Sequence, residues 1–349
     1  METHTRTTGN SSAIDGHVHI VGNGLKGSGC WLKIGLWHRP LAAFMLRHIG
    51  VGVSMTSAEF DEAYSSHLAK LVRESSLGAA VILAQEEVYD PSGRKLEGIG
   101  SFYVPNDHVL RLAREHKEFL PAVSIHPARA DALDELDRCL EGGAVMLKLL
   151  PNCHNVDCND PRYCKFWERM AEVGLPFLAH TGGEHTVPVV RKEFSDPRTL
   201  RLPLECGVTV IAAHCATKSG LFDPEYFHIF VEMLERFPRL YGDTSAFNVP
   251  IRGRHVRRCV VEPLASRLVH GSDYPVPVFA HWAWAQRFVD CKSFRRCELI
   301  ENLLEKDFQL KRAMGFSPEH FTRIASLLRQ TPAVERLVER KKPGLSVRG

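Results

Sequence analysis

Ile14-Asp15-Gly16-His17-Val18-His19-Ile20-Val21 is a β-rich run in which two histidines stand two residues apart. On a strand, side chains at i and i+2 leave the same face, so both imidazoles can point at one ion. A histidine pair at this spacing is weak evidence by itself, because strand ends often carry polar groups of no special use. Its weight depends on what lies further along the chain.

Seven more short apolar runs follow: Ala79–Ala84, Leu120–His126, Ala144–Leu150, Pro176–His180, Val208–His214, Leu240–Thr244 and Arg267–Gly271. Amphipathic stretches separate them, which is the pattern of a parallel sheet with crossover helices. Eight parallel strands can close into a filled barrel, and 349 residues fit such a barrel as one unit. The expected fold is α/β, a (β/α)8 TIM barrel with extra helices at the C-terminus near Ala280–Val289, Arg296–Lys306 and Pro318–Arg329. Residues 1–12 read as a polar tail, 13–330 as the barrel and 331–349 as a basic tail.

Helix starts are marked by capping chemistry. Thr56 and Glu59 have capping-box spacing before a helix ending near Glu74, and Asn106 or Asp107 can cap Val109–Lys117. Ala130–Leu140 has apolar residues at helical spacing. Asp160-Pro161 and Asp223-Pro224 each place proline in a first turn, the second before Tyr226–Arg236. The connection Gly22–Thr56 is long, as functional loops often are.

Four further polar positions raise the value of the histidine pair. Lys148 lies inside the apolar run Val145-Met146-Leu147-Lys148-Leu149-Leu150, where an unpaired ammonium is costly. His180 and His214 end their strands, and Asp273 follows Gly271-Ser272. Catalytic groups of such barrels converge at the C-terminal ends of the strands. Each residue alone is an ordinary polar strand end; five such strands in order are not.

In that order, His-x-His, Lys, His, His, Asp, the chain resembles the amidohydrolase superfamily. Asp15-Gly16-His17-Val18-His19, His180-Thr181-Gly182 and Gly271-Ser272-Asp273-Tyr274-Pro275 are similar to its amidohydrolase-2 branch of metal-dependent hydrolases and decarboxylases. The resemblance implies that His17, His19, His180 and Asp273 surround a divalent metal, usually zinc. It implies that His214 binds a second metal or orients the attacked carbonyl. In two-metal members the strand-4 lysine is carboxylated and bridges the ions, so Lys148 decides between one ion and two.

Neutral imidazoles with a carboxylate suit zinc. Water on such a metal loses its proton near pH 7, Asp273 is placed to take that proton, and His214 to stabilise charge on the carbonyl oxygen. The expected activity is hydrolysis of a C–N or C–O bond in an amide, lactone or ester. The same residues leave non-oxidative decarboxylation of an aromatic or unsaturated acid as the alternative, and a non-catalytic metal-binding sensor as a third reading. For substrate contacts the candidates are Asn152, His154, Arg162, Tyr163 and His185. Glu184, Ser245, Asn248 and His126 stand nearby, and Trp31, Trp37 and Phe44 can line a pocket or pack as a lid. Arg162 suits a carboxylate through its planar fork, or is a solvated residue of a first helical turn.

Composition bounds the partners. A net charge of +3 with charges spread along the chain shows no nucleic-acid stripe. No apolar run reaches the roughly 18 residues of a membrane span. Ten cysteines without a CxxC pair read as buried thiols of a cytoplasmic protein, and the spacing of Cys153, Cys158 and Cys164 fits no common zinc knuckle. A small-molecule substrate is the expected partner, with no nucleic acid and no membrane; a homo-oligomer is left open.

Overall fold

The computed structural model describes residues 12–33, 35, 44–45 and 47–339. Eight strands form one sheet in chain order: β1 Ile14–His19, β2 Ala79–Leu83, β3 Phe119–Val123, β4 Met146–Leu149, β5 Phe177–Ala179, β6 Val210–Ala212, β7 Leu240–Asp243 and β8 Leu268–Val269. Every neighbouring pair is parallel. The first and last strands meet where Gly16 N–H donates to His270 O at 3.0 Å and His19 N–H to Tyr274 O at 2.8 Å. The sheet thus closes on itself, and all eight expected strands are present.

Two apolar layers explain the closure. Ile14, Val81, Ala122, Met146, Leu178, Ile211 and Val269 meet in the barrel interior, joined by Ile324, Leu328, Val334 and Leu337 of the C-terminal segment. The second layer lies between the strands and the outer helices, where Trp167, Phe177, Phe227 and Phe230 are fully buried. Strands covered on both sides read as continuous apolar runs, as β2 and β3 do. Alternation then sets the chemistry of the barrel mouth. Met146 and Leu178 face the interior, so Lys148 and His180, two residues on, face the same way at the C-terminal end.

The outer helices include α1 Phe60–Arg73, α2 Asn106–Glu115, α3 Ala132–Glu141, α4 Cys164–Glu172, α5 Arg201–Glu205 and α6 Phe227–Arg236. Several caps differ from expectation. No side chain caps α1; Glu59 is engaged by the Ser57 hydroxyl rather than by Thr56. Asn106 is inside α2, accepting the Ser124 N–H at 2.8 Å and donating to Glu135 at 2.7 Å, so it ties β3 to α3. Pro224 falls before α6 rather than in its first turn, and Asp223 accepts the N–H groups of Ser219 and Gly220. Asp160 does cap its turn, taking the Arg162 N–H at 3.0 Å. Asn106 is taken by tertiary partners, whereas Glu59 and Asp223 are taken by groups within four residues of them.

The extra C-terminal helices are present, with one break. The stretch read as a helix over Arg296–Lys306 divides into Cys291–Glu298 and Leu303–Ala313. Asn302 restarts the helix by accepting the N–H groups of Leu304 and Glu305 at 3.1 and 3.3 Å. Within the long first connection, Trp31–Leu32 pairs antiparallel with Phe102–Tyr103. Trp37 and residues 1–11 and 340–349 lie outside the described residues, while Phe44 is exposed. No helix among the described residues is long and apolar enough to cross a membrane.

Burial of His108 in α2 makes stability depend on pH. Burial, aided by Arg111, pushes its imidazole down to about 4. Between the unfolded value near 6.5 and 4, the unfolded chain binds a proton that the folded one refuses. Stability is therefore full above pH 6.5 and falls as pH drops through that window. Thermal unfolding will show a lower midpoint at pH 5 than at pH 7, and His108→Gln will shrink the difference. An unchanged difference would remove His108 from the account.

Candidate metal centre

His17 and His19 close β1 with the same side-chain direction, and Asp273 reaches them from the segment after β8. His17 Nε2 lies 3.2 Å from His19 Nε2 and 3.2 Å from Asp273 Oδ1, while His19 Nε2 lies 3.3 Å from Asp273 Oδ1. His214 adds a third imidazole: one ligating atom each from His17, His214 and Asp273 fall within 4.8 Å of one another. Lys148 Nζ comes within 3.3 Å of His17 Nε2. The His180 ring lies 5.1 Å from that of His214, and its buried Nε2 has no hydrogen-bond partner.

Local backbone serves this convergence. His214, Cys215 and Ala216 all have positive φ, as does Asp273 at 67°. L-residues adopt that conformation at a cost of about 1–3 kcal/mol each, and it collects at functional sites. The left-handed turn swings His214 out of the β6 line and toward His17. Gly271 allows the close approach: a Cβ there would lie 2.8 Å from the Cβ of His17.

A residue not singled out in the sequence organises the site. Asp243, the last residue of β7, accepts from His17 Nδ1 at 2.7 Å through one oxygen. Its other oxygen accepts the N–H groups of His214 and Ser245 at 2.7 and 3.0 Å and the Ser245 hydroxyl at 2.5 Å. Ser245 also meets His214 Nδ1 at 2.8 Å. The Nδ1 bond places the His17 proton away from the centre, leaving Nε2 as a lone pair.

Burial controls the charges. It pushes His17 down to about 4, with Lys148 adding to the effect, and His180 down to about 3. His214 falls well below its usual value through burial and Arg252. Burial works to raise Asp273 and Asp243, but the facing imidazoles outweigh it and hold both well below the usual carboxylate range. Lys148 drops to about 8, burial outweighing Asp243, Asp273 and Glu184. His17, His180 and His214 are thus neutral beside the ionised Asp273 and Asp243, a donor set suited to a cation, with Lys148 Nζ 3.3 Å from His17 Nε2. Zinc–nitrogen bonds of about 2.0–2.1 Å in a tetrahedron space their ligands about 3.3 Å apart, and the His17, His19 and Asp273 atoms match that spacing.

The remaining candidates divide into two groups. Asn152 and His154 are buried in the turn after β4, where His154 meets Gln85 at 2.8 Å and the Asn152 carbonyl takes the N–H groups of Val190 and Arg191. Arg162 is exposed and tied to Asp160 and to the Pro91 carbonyl at 2.8 Å; Tyr163 packs in the outer core. His185 is exposed and pairs with Asp223 at 2.9 Å. These last three are not brought to the His17–Asp273 centre. Buried Arg252 stands nearer, its guanidinium held by the carbonyls of Gly183 and Thr217 at 2.6 and 3.2 Å. Asp243 was within reach of the strand-end rule applied to the other strands; Arg252, deep in a loop, carried no such signal.

A search of curated protein sequences finds no match. Among solved structures, an uncharacterised TIM-barrel protein from Bordetella bronchiseptica is 16% identical, with 86% of this chain and 99% of that one covered and a TM-score of 0.54. A candidate 2-pyrone-4,6-dicarboxylic acid hydrolase from Acinetobacter baumannii is 13% identical over 89% of this chain and 99% of its own, with a TM-score of 0.52. A second candidate of that name, from Pseudomonas putida, is 15% identical over 95% and 98%, with a TM-score of 0.51. These likenesses concern the fold. The amidohydrolase family model matches residues 14–303, from the first residue of β1 to beyond the centre's Asp273, and the chain belongs to that family.

Proposed function

We propose that this chain is a metal-dependent hydrolase that opens an amide, lactone or ester bond, with Asp273 as its general base. The observation that carries the reading is the meeting of His17 Nε2, His19 Nε2 and Asp273 Oδ1 at mutual distances of 3.2–3.3 Å. His17, His19, His180, His214 and Asp273 would hold a divalent ion, with zinc best suited to this donor set. Such an ion, when bound, supplies an activated water near neutral pH and Lewis acidity toward a carbonyl.

The protein's own groups do the rest. Asp273, kept ionised, accepts the proton of the attacking water and returns it to the leaving atom. His214, its Nδ1 proton turned to Ser245 and its backbone held by Asp243, would offer its Nε2 lone pair to the ion. Asp243 keeps the His17 proton on Nδ1. Lys148, lowered to about 8, has a neutral fraction that could add carbon dioxide and release a proton to become a carbamate, whose oxygens would join the donor set. Two fold relatives carry the name of a lactone hydrolase, which supports C–O bonds as the first substrates to try.

Turnover of lactones, esters and amides in 18O-labelled water tests the reading. One labelled oxygen in the product acid is expected, and Asp273→Asn should lower kcat/KM by roughly 10²–10⁴-fold. Release of carbon dioxide from a carboxylated substrate without label incorporation would overturn it in favour of decarboxylation.

Elemental analysis of native protein tests the ligand set. His17→Ala should lose the metal, and Asp243→Asn should weaken metal affinity by roughly 10–100-fold. Loss of two ions in Lys148→Ala would establish a bridging lysine; loss of none would make Lys148 a substrate or positioning residue.

A further inference from the structure

Most of the cysteines are buried, but Cys164 and Cys206 are half-buried and Cys291 is exposed. Cys164 opens α4, and Cys206 follows the last residue of α5, 42 positions further along the chain. On the outer ring of helices their sulfurs lie 3.6 Å apart, in van der Waals contact.

The other thiols lack either a partner or access. Cys215 stands beside Cys259, but both are fully buried, and Cys215 donates to the Asp243 carbonyl at 3.0 Å. Cys291 reaches water, yet its sulfur takes the Trp284 indole N–H at 3.3 Å rather than meeting a second sulfur. Among the described residues, Cys164 and Cys206 combine contact with exposure to solvent.

Proton positions around the pair set an order of events. The Cys164 thiol donates to Glu168 Oε1 at 3.4 Å, one turn further along α4. The proton between the two sulfurs is then that of Cys206, donated to Cys164 Sγ. Burial, with Cys164, Glu168 and Glu205 beside it, pushes the Cys206 thiol up to about 12. Cys206 keeps its proton, so the first attack on an oxidant falls to Cys164. A disulfide of about 2.05 Å requires the sulfurs to close by roughly 1.5 Å. Both residues stand at helix ends, where the chain adjusts more readily than at mid-helix.

We propose that Cys164 and Cys206 are an oxidisable pair that a peroxide converts to a disulfide tying α4 to α5. The Cys164 sulfur attacks one peroxide oxygen, the O–O bond breaks, and the departing oxygen leaves as water with the thiol proton. The Cys206 sulfur then attacks the Cys164 sulfur, the S–O bond breaks, and the departing hydroxide takes the Cys206 proton as a second water. Two thiols lose two electrons and one peroxide gains them. The ring so closed contains β5, His180 and the chain up to α5. The pairing stands apart from the hydrolase reading above.

Peptide mapping of the full chain, oxidised with hydrogen peroxide and then alkylated, reads the pair directly. Trypsin should release Tyr163–Lys165 joined to Leu202–Lys218, and dithiothreitol should separate them. Fragmentation distinguishes Cys206 from Cys215 within the second peptide. The oxidised protein should unfold several degrees higher than the reduced one, because the bond restricts the unfolded chain. Oxidation in denaturant should give far less of this crosslink, since the fold supplies the contact. Cys206→Ser and Cys164→Ser should both lose it, and only Cys206→Ser should trap dimedone, on a sulfenic acid at Cys164. Circular dichroism checks that both variants are folded; should one fail, the other decides. Cys164 and Cys206 both alkylated in protein whose Cys291 is oxidised overturns the proposal. So does a crosslink that forms as readily in denaturant, joins another cysteine instead, or lowers the unfolding midpoint. Dimedone trapped on Cys206 alone overturns the order of attack.

Discussion

The bond from His17 Nδ1 to Asp243 at 2.7 Å is the point around which the barrel mouth is arranged. One buried carboxylate joins the end of β1, the turn after β6 and the end of β7. It orients His17, fixes its tautomer and anchors the backbone from which His214 projects. A carboxylate so deep in a protein is costly unless nearly every lone pair is used, and Asp243 uses both oxygens. The polar mouth is possible because the apolar interior beneath it excludes water and fixes the strand register.

Cost and purpose meet at the same residues. His214 and Asp273 sit in left-handed backbone, His180 keeps a buried Nε2 with no hydrogen-bond partner among the described residues, and the ligating atoms of His17, His19 and Asp273 lie within 3.3 Å of one another. None of this stabilises a metal-free chain. A cation among these donors would offset that cost.

Helix caps show where local reading is weakest. Asn106 and Asp223 have the chemistry of caps, yet one bridges β3 and α3 and the other clasps a loop and His185. A short polar side chain has several partners within reach, some in its own loop and some on the element packed beside it. Asp160 caps as its type suggests, and Asn302 caps through its oxygen while its amide donates to the Leu71 carbonyl of α1 at 2.8 Å. Arg162 illustrates the same competition at the surface, where Asp160 two residues away takes its guanidinium.

The eight strands, their order and the polar ends of five of them were legible in the sequence, because period-2 alternation and apolar runs are local properties of the chain. His17 and His19 had to share a face, and Lys148 had to point with Met146. Which atoms meet was not legible. Asp243 reaches His17 across more than two hundred residues, and His214 faces the centre only through a left-handed turn that no propensity predicts. The neutrality of His17 is likewise a product of burial and of neighbours brought in by closure of the barrel. Composition and spacing decide which groups are available; only the closed barrel decides which lone pairs face one another.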